Sequence, residues 1–124
     1  MSGALLTKKA LAHSLKQLMK EKPLDEIGIE DITKACYLSR KTFYYHFKDK
    51  YDLLCWIYYN EFVLDVKNKD LAEWDMIIYI CQYLYDNRTF YSNALTAEGP
   101  NSFSLYFTDI LQKFIVHYFT EAFP

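Results

Sequence analysis

Apolar residues recur at every third or fourth position through most of this chain, and few residues interrupt the pattern. Near the start, Leu11, Leu15 and Leu18 make one stripe at helical spacing. Glycine and proline number three each, which leaves little room for the tight hairpins of a β fold. With 52% hydrophobic and 19% aromatic residues, the 124 residues can bury a core. The sequence therefore predicts an all-α fold.

The same spacing places the individual helices. It predicts helices over residues 4–22, 29–36, 39–47, 49–69, 71–86 and 102–119, one turn over 89–95, and a loop over 96–101. The expected N-caps are Thr7 or Ser2, Ser39, Asp49 and Ser102, and Pro23 is expected to end the first helix. The inward face predicted for the helix over 71–86 consists of Trp74, Ile77, Ile78, Cys81, Leu84 and Tyr85. The inward face predicted for the last helix consists of Phe103, Phe107, Ile110, Leu111, Phe114, Ile115 and Tyr118.

Residues 38–50 are short, basic at both ends and rich in aromatic side chains. Helical spacing puts Phe43 and Phe47 on one face, and Arg40 with Tyr44 on another. Cations and hydroxyl groups on one helix face suit a helix in a DNA groove, where they meet phosphates and base edges. A solvated surface helix is the alternative for this stretch taken alone.

The preceding stretch favours the DNA interpretation. Ile29, Ile32 and Ala35 are apolar at helical spacing, and a short break follows before Ser39. Two short helices joined by a turn of about three residues have the dimensions of a helix-turn-helix unit, whose second helix enters the major groove.

The run Ser-x-x-Thr-Phe-Tyr-Tyr-His-Phe-Lys-x-Lys-x-x-Leu, from Ser39 to Leu53, resembles the signature of TetR-type transcriptional regulators. The resemblance covers residues 7–60. It implies a three-helix DNA-binding head over residues 1–50, joined by a long fourth helix to a helical regulatory and dimerisation domain over residues 51–124. Tyr37 stands where the family usually has a glycine, so we expect a reshaped or strained turn there.

The resemblance also implies roles for single residues. Arg40, Lys41 and Tyr45 fall where family members touch base edges. Thr42, Tyr44, His46 and Lys50 fall where they grip phosphates. The implied partners are double-stranded DNA and a second copy of the chain, which as a two-fold dimer would bind a pseudo-palindrome.

The C-terminal half is aromatic, and the resemblance implies that it responds to a small-molecule effector or a partner protein. The aromatic side chains concerned are Trp56, Tyr58, Tyr59, Trp74, Tyr79, Tyr83, Tyr85, Tyr106 and Phe107. A packed core is the stronger interpretation of these rings, and an effector cavity is the alternative. This half also resembles the regulators of dihydroxyacetone kinase, which answer to a partner protein. Family members usually continue with two more helices, so we expect this domain to be incomplete or to pair differently through the apolar last helix.

Charge is distributed unevenly along the chain. Residues 1–50 carry ten Lys/Arg against six Asp/Glu, whereas residues 51–124 carry four against ten. A basic N-terminal part attracts a polyanion by counterion release, and an acidic C-terminal part is held away from it.

Other classes of function find no support in the sequence. The three cysteines, Cys36, Cys55 and Cys81, form no Cys-x-x-Cys pair, so we expect neither a metal site nor a disulfide framework. No Gly-rich phosphate loop, His-Glu-x-x-His motif or nucleophile-base pair is present, and we expect neither an enzyme nor a cofactor. Without a signal peptide or a long apolar run, a cytoplasmic protein with no membrane contact is expected. The competing class is an adaptor that keeps the fold but acts through protein contacts.

Overall fold

The structure is a computed structural model that describes residues 3–97 and 102–123. Within these ranges the chain forms eight α-helices: α1 Gly3–Met19, α2 Ile29–Ala35, α3 Arg40–His46, α4 Lys50–Tyr58, α5 Leu64–Asn68, α6 Glu73–Asp86, α7 Arg88–Leu95 and α8 Ser102–Ala122. A 3₁₀ turn, Leu24–Glu26, follows α1, and a π-helical turn, Tyr59–Val63, joins α4 to α5. The described residues contain no β-strand, and the predicted all-α fold is confirmed.

The long fourth helix is confirmed as one continuous rod, although it contains two kinds of helix. α4, the π-helical turn and α5 follow one another without a break, and the backbone at Tyr58 and Leu64 stays right-handed helical. Asp49 is the N-cap, as predicted, and its carboxylate accepts a hydrogen bond from the Asp52 N–H at 2.8 Å. Because a π-helical turn adds a residue, it rotates the faces before and after it relative to each other.

α1 differs from the prediction at both ends. It ends at Met19, before the predicted residue 22, and hydrogen-bonded turns rather than Pro23 terminate it. Thr7 is not the N-cap, because its hydroxyl lies inside the helix and donates to the Gly3 carbonyl oxygen at 2.9 Å. Ser2, the other predicted cap, lies outside the described residues.

The N-terminal helices pack on a small apolar core against α4. Phe43 and Phe47 are buried there, so their predicted inward orientation is confirmed. The other main contributors are Leu11, Leu15, Leu24, Ile27, Ile32, Leu53 and Leu54. The cluster continues along α4 into the C-terminal helices, which makes α4 the element shared by both parts of the core.

The centre of the C-terminal part is a group of interlocking aromatic rings around Tyr58, which is fully buried. Five ring centroids lie 5.0–6.0 Å from the centroid of Tyr58, those of Phe62, Tyr91, Phe103, Tyr106 and Phe107. The Tyr58 hydroxyl donates to the Phe107 carbonyl oxygen at 3.4 Å. The rings at this centre therefore form packed core, in line with the stronger of the two interpretations.

The inward face predicted for α6 is wrong in part. Ile77 is buried and Leu84 half-buried, but the rest of the buried face is Met76 and Ile80. The four remaining predicted residues, Trp74, Ile78, Cys81 and Tyr85, are exposed. α6 carries apolar residues around most of its circumference, so periodicity alone is compatible with two inward faces. Contact with α8 and Phe62 selects the face of Met76 and Ile80.

The last two helices largely follow the prediction. α7 is longer than the single turn expected over 89–95, and it buries Tyr91 and Ala94. Phe103 and Phe107 of α8 are buried, and the other predicted inward residues of α8 are half-buried. Ser102 is not the N-cap, because it is already helical; the position before it lies outside the described residues, as does most of the predicted loop over 96–101.

Candidate nucleic-acid interface

α2 and α3 are joined by a four-residue turn whose geometry depends on Tyr37. Tyr37 has φ +61°, the left-handed conformation that glycine adopts most easily. The Leu38 N–H donates to the Thr33 carbonyl oxygen at 2.9 Å, which closes the end of α2. The Tyr37 side chain is 96% exposed, so no tertiary contact of this ring accounts for the conformation. The strained turn expected at this position is confirmed.

Side-chain caps start both helices of the pair. At the start of α2, the Gly28 N–H donates to the Asp31 carboxylate at 2.9 Å. At the start of α3, the predicted cap Ser39 is confirmed, since its hydroxyl oxygen accepts from the Thr42 N–H at 3.1 Å. These caps fix where α3 begins and hence which side chains face outward.

The outward face of α3 carries two cations and two phenols. Arg40, Lys41, Tyr44 and Tyr45 are all exposed. Tyr45 is the more exposed of the two tyrosines, at 83% against 49% for Tyr44. These four side chains form a face that can donate hydrogen bonds to phosphate oxygens. The face can also reach past a sugar-phosphate backbone to the bases.

Two other predicted site residues lie at the border of this face. Thr42 is half-buried, and its hydroxyl is 2.9 Å from that of Ser39. If Ser39 donates in that pair, the Thr42 hydroxyl keeps its own hydrogen for an outside acceptor. His46 is half-buried, and its ring meets the Tyr45 ring edge-on with the centroids 5.0 Å apart. The structure therefore groups six of the seven predicted site residues on or beside the outward face of α3.

Lys50 is the exception. Its ammonium group points into the fold and donates to the carbonyl oxygens of Leu24 and Ile27, both at 2.7 Å. Burial lowers the pKa of Lys50, and the nearby carboxylates of Asp25 and Asp31 partly oppose that shift. In this structure Lys50 therefore holds the connector between α1 and α2, and its ammonium is not part of the outward face that the resemblance implied.

A second residue, which the sequence did not predict, holds the same connector. Asn93 of α7 accepts from the Leu24 N–H at 2.8 Å. Its amide group donates to the carbonyl oxygens of Met19 at 3.0 Å and Lys22 at 2.9 Å. The Leu24 backbone is thus hydrogen-bonded to Asn93 of α7 through its N–H group. Its carbonyl oxygen accepts from Lys50 at the start of α4. We call this arrangement of Asn93, Leu24 and Lys50 the connector clasp.

Carboxylates near α3 are occupied by backbone groups or cations. Asp49 caps α4, and Asp52 accepts from the Lys48 N–H at 2.9 Å. On α2, Glu30 lies 3.5 Å from the Lys34 ammonium. Because α3 itself contains no acidic residue, its outward face has a positive balance of charge.

Neither a metal-ligand cluster nor a membrane-spanning helix occurs in the part of the chain that the structure describes. Within residues 3–97 and 102–123, no three His, Cys, Asp or Glu side chains come together in a way that could hold a metal ion. None of the helices described there combines the length and apolar character needed to cross a membrane.

Comparison with known proteins points to one family for both parts of the chain. The family model for bacterial regulatory proteins of the tetR family matches residues 13–55. A second model, for the C-terminal region of transcriptional regulators of this type, matches residues 72–124.

A curated relative and a solved structure agree with these matches. The HTH-type dhaKLM operon transcriptional activator DhaS of Lactococcus lactis subsp. lactis (strain IL1403) is 29% identical over 119 residues, 93% of this chain and 64% of the relative. The chain thus spans less than two thirds of that relative's length. The solved structure of a dihydroxyacetone kinase operon activator DhaS shares the fold with a TM-score of 0.64 at 23% identity, over 95% of this chain and 68% of that one. This chain belongs to the TetR family of bacterial regulatory proteins.

Proposed function

We propose that this protein is a sequence-specific DNA-binding regulator of transcription that acts in the cytoplasm as a homodimer. Residues 1–50 serve as the DNA-binding domain, and residues 51–124 as the regulatory and dimerisation domain. The observation that carries the proposal is the outward face of α3, where Arg40, Lys41, Tyr44 and Tyr45 are exposed and no acidic residue intervenes.

Each side chain of the face has a role that its chemistry supports. Arg40 can donate to both major-groove acceptors of a guanine, and Lys41 and Tyr45 can also reach base edges. Thr42, Tyr44 and His46 donate to phosphate oxygens, which fixes the helix in the groove without selecting a sequence. Lys50 holds the connector between α1 and α2 rather than a phosphate, because two carbonyl oxygens of that connector bind its ammonium.

Regulation runs through the α4–α5 rod, which contributes to the core of both domains. A small ligand or a partner protein that binds the C-terminal helices would tilt this rod and change the spacing of the two heads in a dimer. The relative named above is an operon activator, and this similarity supports activation rather than repression as the direction of control.

Fluorescence anisotropy across a salt series tests the proposal. Neutralised phosphates release counterions, so log affinity should fall linearly with log salt, with a slope of about −0.9 for each phosphate contacted. Arg40→Ala should weaken the preferred duplex most, by about 1–3 kcal/mol, whereas Tyr44→Phe should weaken preferred and random duplexes equally. A folded protein that binds no duplex even at low salt would overturn the proposal and favour an adaptor.

A further inference from the structure

Tyr37 projects from the turn between α2 and α3, while its two neighbours hold that turn against the core. Cys36 and Leu38 are half-buried and pack on the core, whereas the Tyr37 side chain is 96% exposed. The Tyr37 N–H donates to the Lys34 carbonyl oxygen at 3.2 Å. The Leu38 N–H donates to the Thr33 carbonyl oxygen at 2.9 Å. The turn therefore holds the Tyr37 backbone in one orientation and presents its ring to solvent.

The left-handed backbone of Tyr37 has a cost that its ring does not offset within the chain. A residue with a Cβ is disfavoured at φ +61°, whereas glycine adopts this conformation freely. Strain of this kind persists at functional sites, where the strained residue serves a ligand. A strained position that carries a fully projecting phenol therefore indicates contact with another molecule.

The position of Tyr37 in the chain places its phenol beside the N-terminal end of α3. Arg40 follows it by three positions, so the two Cα atoms are at most about 11 Å apart. The major groove is about 12 Å wide, and the two sugar-phosphate strands form its edges. When Arg40 lies in the groove, a side chain as long as tyrosine at this distance reaches the bordering strand.

The charge around the turn favours phosphate as the group that the phenol meets. Residues 32–48 include four cationic residues and no Asp or Glu. The two carboxylates at the start of α2 are engaged, since Glu30 lies 3.5 Å from the Lys34 ammonium and Asp31 accepts from the Gly28 N–H. A phenol donates well to an anionic oxygen, and hydrogen bonds to charged acceptors are stronger than those to neutral ones.

We propose that Tyr37 is a further DNA-contacting residue, whose phenol donates a hydrogen bond to a phosphate oxygen on the strand that borders the groove holding α3. This inference rests on the proposed function and adds a residue to its interface. Tyr37 stands where the resemblance places a glycine, so the contact depends on a side chain particular to this chain. A contact to the DNA backbone strengthens binding without selecting a sequence. Because the turn already holds the backbone of Tyr37, little ordering opposes the contact.

Fluorescence anisotropy on Tyr37→Phe isolates the hydroxyl group. Phenylalanine keeps the ring and the Cβ, so the backbone conformation is unchanged and only the hydrogen bond is lost. Tyr37→Phe should raise the Kd for preferred and random duplexes equally, by about 10-fold. The slope of log affinity against log salt should stay the same, because a neutral phenol releases no counterion. The matched control is Tyr85→Phe, which removes the hydroxyl of a 61% exposed tyrosine on α6 and should bind as the wild type does.

Tyr37→Gly separates a DNA contact from an effect on the shape of the turn. It should lose at least as much affinity as Tyr37→Phe, although glycine suits the left-handed position and the variant should be no less stable to urea. If Tyr37→Phe binds as the wild type does and Tyr37→Gly only changes the preferred sequence, the residue acts through the turn and the contact is wrong. A loss confined to the preferred duplex would also overturn it, because that result means base reading.

A scan of the phosphates identifies the acceptor. Single methylphosphonate groups, which are neutral, replace the phosphates one at a time along both strands of the preferred duplex. One position beside each half-site should weaken wild-type binding but leave Tyr37→Phe nearly unaffected, because the two changes remove the same hydrogen bond. If the effects of the methylphosphonate and of Tyr37→Phe add at every position, the phosphate contact is wrong.

DNA binding by the wild type separates failure of this contact from failure of the proposed function. If the wild type and Tyr85→Phe bind a duplex and Tyr37→Phe binds it equally well, the contact is wrong and the regulator stands. If the folded wild type binds no duplex even at low salt, the regulator is wrong and the Tyr37 contact is wrong with it.

Discussion

Replacing Asn93 with alanine removes the three hydrogen bonds by which α7 holds the connector. The Leu24 N–H loses its acceptor, and the carbonyl oxygens of Met19 and Lys22 lose a donor. Leu24 is fully buried and Met19 almost so, which limits how well water can replace the amide. We expect the whole α1–α2 connector to lose its anchor to the C-terminal part.

The expected loss of unfolding free energy follows from the number of hydrogen bonds removed and from their burial. A net hydrogen bond contributes about 0.5–1.5 kcal/mol, and a buried group left without a partner costs about 1–3 kcal/mol. Three bonds, one of them to the buried Leu24 peptide, give about 2–4 kcal/mol. Alanine recovers about 0.5 kcal/mol of helix propensity in α7, so the expected loss of unfolding free energy is about 1.5–3.5 kcal/mol.

Urea denaturation followed by circular dichroism at 222 nm measures this loss directly. Ser92→Ala is the matched control, because Ser92 is the exposed neighbour of Asn93 on α7 and gains the same alanine. Asn93→Asp adds a second comparison: it keeps an acceptor for the Leu24 N–H but sets a carboxylate against two carbonyl oxygens. We expect it to be no more stable than Asn93→Ala.

An Asn93→Ala variant that loses less than about 0.5 kcal/mol would refute this reasoning. So would an equal loss in Ser92→Ala, since that would trace the effect to α7 rather than to the clasp. A normal m-value in all variants is required for the comparison, because it shows that unfolding still exposes the same surface.

Three further predictions follow from single residues. Tyr37→Gly should stabilise the protein by about 1 kcal/mol in the same urea assay, because glycine relieves the left-handed backbone and the exposed ring gives up few contacts; a loss of stability would contradict it. The hydrogen bond to Asp65, aided by burial, raises the pKa of Tyr79 to about 12, so its contribution to stability is full below pH 10 and is lost as pH rises through 12. The difference in unfolding free energy between wild type and Tyr79→Phe should therefore shrink from pH 8 to pH 12, and a difference that is independent of pH would count against the bond. Lys50→Met should cost about 1–3 kcal/mol of stability but leave the salt slope of DNA binding unchanged; a slope smaller by about one would restore Lys50 to the phosphate contacts.

Features fixed by neighbouring residues could be predicted from the sequence. The Ser39 and Asp49 caps depend on atoms three residues away, and the inward Phe43 and Phe47 depend on one turn of helical spacing. The left-handed Tyr37 followed from a turn whose geometry the family fixes. Each of these features is set by residues close to it in the sequence, so a short sequence pattern is enough to predict it.

Features fixed by distant residues could not be predicted. The connector clasp joins Leu24 to Asn93, 69 positions away, and leaves no pattern in either segment. Lys50 is a cation at a position where family members contact phosphate. Only the structure shows that two carbonyl oxygens of the connector bind its ammonium instead. On α6 both candidate faces are apolar, so the choice between Ile78 outward and Ile80 inward depends on α8 and cannot be made from the helix alone.

Selection of bound duplexes from a random pool tests the central claim most directly. Wild-type protein at moderate salt should enrich an inverted repeat whose half-sites lie about one helical turn apart, as two copies of α3 in successive major grooves require. Arg40→Ala should enrich it weakly or with a changed base at one position in each half-site. A folded, dimeric protein that enriches no sequence, with Arg40→Ala behaving identically, would contradict the account.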